Sequence, residues 1–176
     1  MVIRSGVTID EFLRMPETKP ALELIDGEVV QKPMTKRSHW RTAQLLAELL
    51  GRYMATHGGD AGPEATVPLR ATGNVFVPDM AYWAPDKPQG TNSEALPATL
   101  AIEIRSEGQT MAFLRRKCRS YRASGVEVAW LIDPDSRLVE VFEDGVDGEP
   151  ATGVLRSRYL PEFELDLEAL SRRVER

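Results

Sequence analysis

The spacing of apolar residues divides the chain into short strands and two long helical stretches. Thr8 followed by Glu11 has the form of a capping box, predicting a short helix over about 8–14 that stops before Pro16. In ALELIDGEVVQKP, β-rich arms flank Asp26-Gly27, which favours a tight type I′ hairpin turn, so strands are expected near 21–25 and 28–32. From Ser38 to about His57, Trp40, Ala43, Leu46, Ala47, Leu50 and Tyr53 or Met54 recur at helical spacing, and Gly58-Gly59 supplies the stop. EATVPLR and NVFVPDMAYWA then read as two strands around Ala71-Thr72-Gly73, with Asp79 near the middle of the second.

APDKPQGTNSEALP has no periodicity and reads as a surface loop. TLAIEIRS is an apolar strand, MAFLRRKCRSYRASG a helix ending at Gly125, EVAWLIDP a second apolar strand, and LVEVFE an alternating one. The run from about 99 to 133 fits a strand–helix–strand crossover, right-handed if its strands share a parallel sheet, while the hairpins make the sheet mixed. The tail, with LPEFELDLEAL, predicts a final strand and a terminal helix covering an edge. The expected class is mixed α/β, in one domain over 1–176 with no repeats or linker.

Composition narrows this further. At 42 % hydrophobic and 28 % charged residues, the 176-residue chain matches soluble globular proteins and can bury a core. The single Cys118 forms no internal disulfide, and with no Cys/His cluster a structural zinc site is not expected. The N-terminal stretch lacks a signal-peptide core and nothing approaches a membrane span, so a cytoplasmic protein with no membrane partner is expected. A net charge of −5 argues against coating nucleic acid through a global positive field, and leaves room for a local basic cleft.

Two acids stand out. Asp79 and Glu103 lie in stretches that otherwise read as core, where an ionised carboxylate is costly unless it is paired or binds a metal. On a helix at about 100° per residue, Phe113, Leu114, Lys117, Cys118 and Tyr121 share one side, and Arg115, Arg119 and Arg122 another. Lys117 either snorkels along the apolar face or folds back toward both carboxylates. The arginines form either a solvated face or a phosphate-contacting ridge. Glu23 is an exposed strand acid or an outer ligand for metal-bound water; His39 begins its helix or joins the site; His57 suits a helix C-terminus. Trp83 and Trp130 read as core, and Trp40 as packing at its helix start.

ELIDGEVV, His39, VPDMAYW, LAIEIRS, KCRSYRASGVEVAWLIDP and LPEFELDLEAL, in that order from about residue 20 to 170, resemble the PD-(D/E)XK nuclease superfamily. Within it they resemble a bacterial restriction-endonuclease family, much of it once of unknown function. The resemblance implies a restriction-endonuclease-like mixed central sheet flanked by helices, a Mg²⁺- or Mn²⁺-dependent site, and hydrolysis of DNA phosphodiesters. It implies that Asp79 and Glu103 bind the metal with the Ile104 carbonyl. The superfamily's lysine two residues after the acid is replaced by Arg105, which stays charged and is a poor proton-transfer group. Lys117 on the next helix is then expected as the catalytic lysine and Arg105 as a transition-state or phosphate contact. Gln109 and Phe113 stand where relatives often carry an acid.

The leading expectation is a metal-dependent DNA endonuclease. Against it stand a catalytically silent nucleic-acid- or protein-binding module with the same fold, and an enzyme acting on another phosphate ester. A homodimer is expected because cutting both strands of a duplex commonly uses two sites and C2 dimers are the commonest oligomers. LVEVFE is the suggested contact, and the loop from Ala84 to Pro97 the suggested base-reading element.

Overall fold

A computed structural model describes residues 2–87 and 97–175. The chain opens with β1 (Val2–Ser5) and a single-turn helix α1 (Ile9–Phe12), capped by Thr8 and Glu11 as their spacing predicts. The hairpin β2 (Leu22–Ile25) and β3 (Glu28–Gln31) turns through Asp26 and Gly27, both at positive φ (52° and 80°), as a type I′ turn requires. Helix α2 (Arg37–His57) follows, then β4 (Asp60–Gly62), β5 (Val67–Leu69), β6 (Asn74–Phe76) and β7 (Met80–Trp83). The remainder is β8 (Leu100–Ile104), α3 (Met111–Ala123), β9 (Val128–Asp133), β10 (Leu138–Glu143), β11 (Val146–Pro150), β12 (Val154–Ser157), β13 (Leu160–Asp166) and α4 (Leu167–Glu175).

One sheet runs β1-β3-β2-β6-β5 and the other β11-β10-β9-β8-β7-β4, while β12 and β13 pair as a ribbon. The larger sheet is mixed: β8 and β9 are parallel, joined across α3, and its other pairings are antiparallel. The crossover over 99–133 therefore forms as expected. Side chains alternate across this sheet. Leu100, Ile102 and Ile104 of β8, with Val128, Trp130 and Ile132 of β9, pack in the core that also contains Leu46 and Leu50 of α2 and Leu170 of α4. Ala101, Ala129 and Leu131 turn the other way, against Leu114, Cys118 and Tyr121 of α3. Glu103 follows the second set, so its carboxylate points to the α3 side. Full burial of a leucine such as Leu100 contributes about 1.5–3 kcal/mol, which fixes β8 in register and with it Glu103.

Several expectations change. NVFVPDMAYW is not one strand: β6 belongs to the smaller sheet and β7 to the larger, so Asp79 sits at a crossing between sheets rather than in mid-strand. Pro78 has no N–H to give a ladder, and the backbone of Val77 turns to side chains instead. Its N–H donates to Glu23 at 2.8 Å and its carbonyl accepts from Lys32 at 2.7 Å. LVEVFE is no exposed dimer strand, because β11 closes its outer edge and its centre is buried. Trp40 is 49 % exposed rather than packed, since α2 begins at Arg37 and turns the indole outward, whereas Trp83 and Trp130 are buried. The N-terminal helix is shorter than predicted, and β1, β4, β11 and β12 escape the sequence pattern. Residues 88–96 of the suggested base-reading loop lie outside the described residues.

Candidate functional site

The break between β6 and β7 places Asp79 where three separate elements reach it. Asp79 Oδ1 accepts from Lys32 Nζ at 2.7 Å; Oδ2 accepts from the Ile104 backbone N–H at 2.7 Å and lies 3.1 Å from His39 Nε2. Lys32 directly follows β3, His39 lies in the first turn of α2, and Ile104 ends β8 beside Glu103. The Ile104 amide thus ties one acid to the strand that carries the other.

Glu103 is held from α3. Thr110 caps that helix by accepting from the Phe113 N–H at 3.2 Å, and the helical repeat then puts Lys117 and Tyr121 on one face. Lys117 Nζ is 2.7 Å from Glu103 Oε1 and 2.8 Å from Glu23 Oε1, and the Tyr121 hydroxyl donates to Glu103 Oε1 at 2.7 Å. Lys117 also lies 5.0 Å from the Phe76 ring centre, a cation–π contact that helps desolvate it. With 1 % of its side chain exposed, Lys117 bridges two carboxylates rather than snorkelling to water.

Glu23, His39, Asp79, Glu103 and Lys117 are therefore all buried in one connected group, with Lys32 at its rim. Burial raises the Asp79 carboxyl, but the Lys32 charge and the bond to His39 outweigh it and hold its pKa below the usual value. Burial, with the neighbouring Asp79, pushes Glu103 up against the pull of Lys117. Burial disfavours charge on Lys117, yet Glu103 and Glu23 overcome it and raise its pKa. Lys32 is raised likewise, Asp79 prevailing over desolvation. Tyr121 is pushed well above its usual value by burial and by Glu103. Both lysines are fixed positive charges near neutrality, and Tyr121 is a neutral donor.

Arg105 lies elsewhere. Its guanidinium donates to Asp133 Oδ2 at 2.9 Å and to the Gln109 carbonyl at 3.1 Å, with 36 % of its side chain exposed. The helix arginines are neither a bare solvated face nor a ridge open to phosphate. Arg115 pairs with Glu140, Arg119 with Asp147 and Arg122 with Asp144, because α3 lies beside the β10–β11 hairpin that carries those acids. His57 ends α2 as expected, stacked on Tyr53 at 4.2 Å and 3.3 Å from Glu162.

Sequence reasoning missed Lys32, and gave Tyr121 no role beyond the helix face. Lys32 left a signal. A two-residue turn at Asp26-Gly27 pairs Glu23 with Val30 and continues to Lys32, whose N–H donates to the Ala21 carbonyl. Period-two alternation then sets Glu23 and Lys32 on one face of the hairpin.

Asp79 and Glu103 offer the hard oxygen donors that magnesium or manganese takes, so the residues fit such an ion in kind. Among the described residues no three His, Cys, Asp or Glu side chains converge as a ready-made cage. Nor is any helix among them long and apolar enough to cross a membrane.

The sequence model of the Uma2 family, described as "Putative restriction endonuclease", matches residues 9–171. No curated protein matches the chain. A crystal structure of "a putative nuclease belonging to DUF820" from Anabaena variabilis superposes with a TM-score of 0.84 at 24 % identity, covering 96 % of this chain and 99 % of that one. The fold is thus that of this nuclease-like group. A DrdV–DNA complex gives a TM-score of 0.46 at 16 % identity over 80 % of this chain and 12 % of that one, a likeness too remote to carry an argument.

Proposed function

Since the chain belongs to the Uma2 family of restriction-endonuclease-like proteins, we propose that it is a metal-dependent endonuclease hydrolysing DNA phosphodiester bonds. The observation that carries this reading is the gathering of Asp79, from the crossing before β7, and Glu103, from β8, joined through the Ile104 amide and backed by Lys117. Asp79 and Glu103, with the Ile104 carbonyl, would hold a magnesium or manganese ion, which when bound supplies positive charge at the phosphate and lowers the pKa of bound water. The other groups prepare the acids. His39 and the Ile104 N–H orient Asp79, and Tyr121 with Lys117 fixes Glu103. Lys117, kept protonated by Glu103 and Glu23, acts by its charge on the growing phosphorane-like transition state and not by passing a proton. Glu23 holds Lys117 in place. Arg105 serves as a phosphate contact, a role its partly exposed guanidinium suits.

The test is calorimetric titration of Mg²⁺ and Mn²⁺ into wild type and the Asp79→Ala/Glu103→Ala variant, with plasmid nicking followed on the same samples. Metal uptake and nicking are expected in wild type and in neither respect in the folded variant; nicking retained by the variant overturns the proposal. A homodimer in solution accompanies this reading, and a monomer mass by light scattering at micromolar concentration counts against it.

One observation favours a second reading, a silent nucleic-acid-binding module of the same fold. Lys32 and Lys117 already offset most of the negative charge of the three buried acids without any metal. Such a module binds DNA equally in EDTA, with affinity falling as salt rises.

A further inference from the structure

Lys32 and Lys117 are both paired with site carboxylates, but their attachments differ. Lys117 projects from the middle of α3, with carboxylates on two sides and an aromatic ring beside it. Lys32 stands just after β3, at the start of an irregular stretch that runs to the first turn of α2 and includes Met34, 77 % exposed. The Lys32 amide stays bonded to the Ala21 carbonyl, so rotation of its side chain, 8 % exposed, is the movement that would carry the ammonium out to water. Lys117 is 1 % exposed and enclosed by its partners.

The position of the Lys32 ammonium is itself informative. It lies 2.7 Å from Asp79 Oδ1 and 2.7 Å from the Val77 carbonyl oxygen, the latter released from ladder bonding where the chain crosses between sheets. A carboxylate and a backbone carbonyl are the oxygen donors that a hard divalent ion selects. The other Asp79 oxygen is engaged by the Ile104 N–H and His39, so Oδ1 is the oxygen whose partner is the Lys32 ammonium. Charge balance agrees. Three carboxylates face two ammoniums, leaving one negative charge, and replacing Lys32 by a divalent ion makes the group neutral.

We propose that Lys32 is the resident occupant of a cation position between Asp79 Oδ1 and the Val77 carbonyl, and that a divalent ion binds beside Asp79 only by displacing its ammonium. Lys32 keeps the acids folded and compensated while no metal is bound, and it weakens metal uptake by competing for Asp79 Oδ1. The inference rests on the metal-dependent reading of the site, but its failure is separable from the failure of that reading.

The experiment is calorimetric titration of Mn²⁺ into wild type, Lys32→Met and Lys32→Arg at fixed pH and ionic strength, with melting curves in EDTA and in Mn²⁺. Lys32→Met is expected to bind Mn²⁺ at least tenfold more tightly than wild type, and Lys32→Arg no more tightly. Lys32→Met should also melt lower in EDTA and recover in Mn²⁺. A lysine that only stabilised the fold would lower the melting temperature in both solutions without raising affinity. Folded Lys32→Met with affinity equal to or below wild type overturns the inference and leaves the metal reading standing. No Mn²⁺ uptake by any folded protein, Lys32→Met included, rejects both. Should Lys32→Met fail to fold, Lys32→Gln, one atom shorter and uncharged but still a hydrogen-bond donor, is read in the same way.

Discussion

The two charged faces of α3 make opposite use of the same chemistry. On one face Lys117 is 1 % exposed and bridges Glu23 and Glu103. On the other, Arg119 is 51 % exposed and pairs with Asp147, itself 68 % exposed. Solvent screens the second pair and competes for both partners, so it is a weak fastening between helix and hairpin. The buried set carries a desolvation cost that an apolar cluster of the same volume would not, so stability gives little reason for its presence. Charges kept dry at such a cost are candidates for chemistry, and charges zipped along a surface are not.

The largest break in that comparison is Lys117→Met, which leaves Glu23 and Glu103 buried without their shared cation. A loss of about 3–5 kcal/mol is expected in urea unfolding, and a loss below 1 kcal/mol would mean that water reaches the acids. Adding Glu103→Gln to that variant should restore part of it, because the second uncompensated charge is then gone. The pH dependence sharpens the contrast. The folded-state pKa of Lys117 is raised, so its contribution is fully present below the ordinary lysine value of about 10.4 and is lost as pH rises through the higher folded value. The pKa of Asp79 is depressed, so its contribution is present above about 3.9 and is lost as pH falls through the lower folded value. Melting temperature against pH should show these two edges in wild type, with the alkaline one reduced in Lys117→Met to what Lys32 contributes.

Tyr121→Phe comes next. It removes one donor from Glu103 and keeps the ring that meets Phe76 edge-on at 5.4 Å, so about 1.5–3 kcal/mol should be lost, the range for a hydrogen bond to a charged group. Arg119→Ala is the smallest, at about 0–1 kcal/mol, and the little it contributes should vanish at high salt. If Arg119→Ala matched Lys117→Met, burial would not be what separates the two faces.

Much of this was legible in the chain. The type I′ hairpin, α2, the β8–α3–β9 crossover and the closing strand and helix follow from turn chemistry and apolar spacing, which are local properties. So did the choice of Asp79, Glu103 and Lys117, because charges within core-like runs conflict with desolvation whatever the fold. β11 was illegible for the opposite reason: VDGEP carries a Gly and a Pro and few apolar residues, and it is a strand because β10 offers it an edge.

Local periodicity alone set which residues enter the interior and on which face of their own element they stand. Partners were decided only by tertiary structure. That Asp79 meets Lys32 and His39, that Arg105 turns to Asp133, that the helix arginines reach the β10–β11 hairpin and that Lys117 meets Glu23 depend on contacts between residues 22 to 94 positions apart. Nothing in the spacing along a chain encodes such a meeting. It follows from the crossing of the chain between two sheets at Pro78, whose missing N–H ends one ladder and leaves the next residue among charges from both.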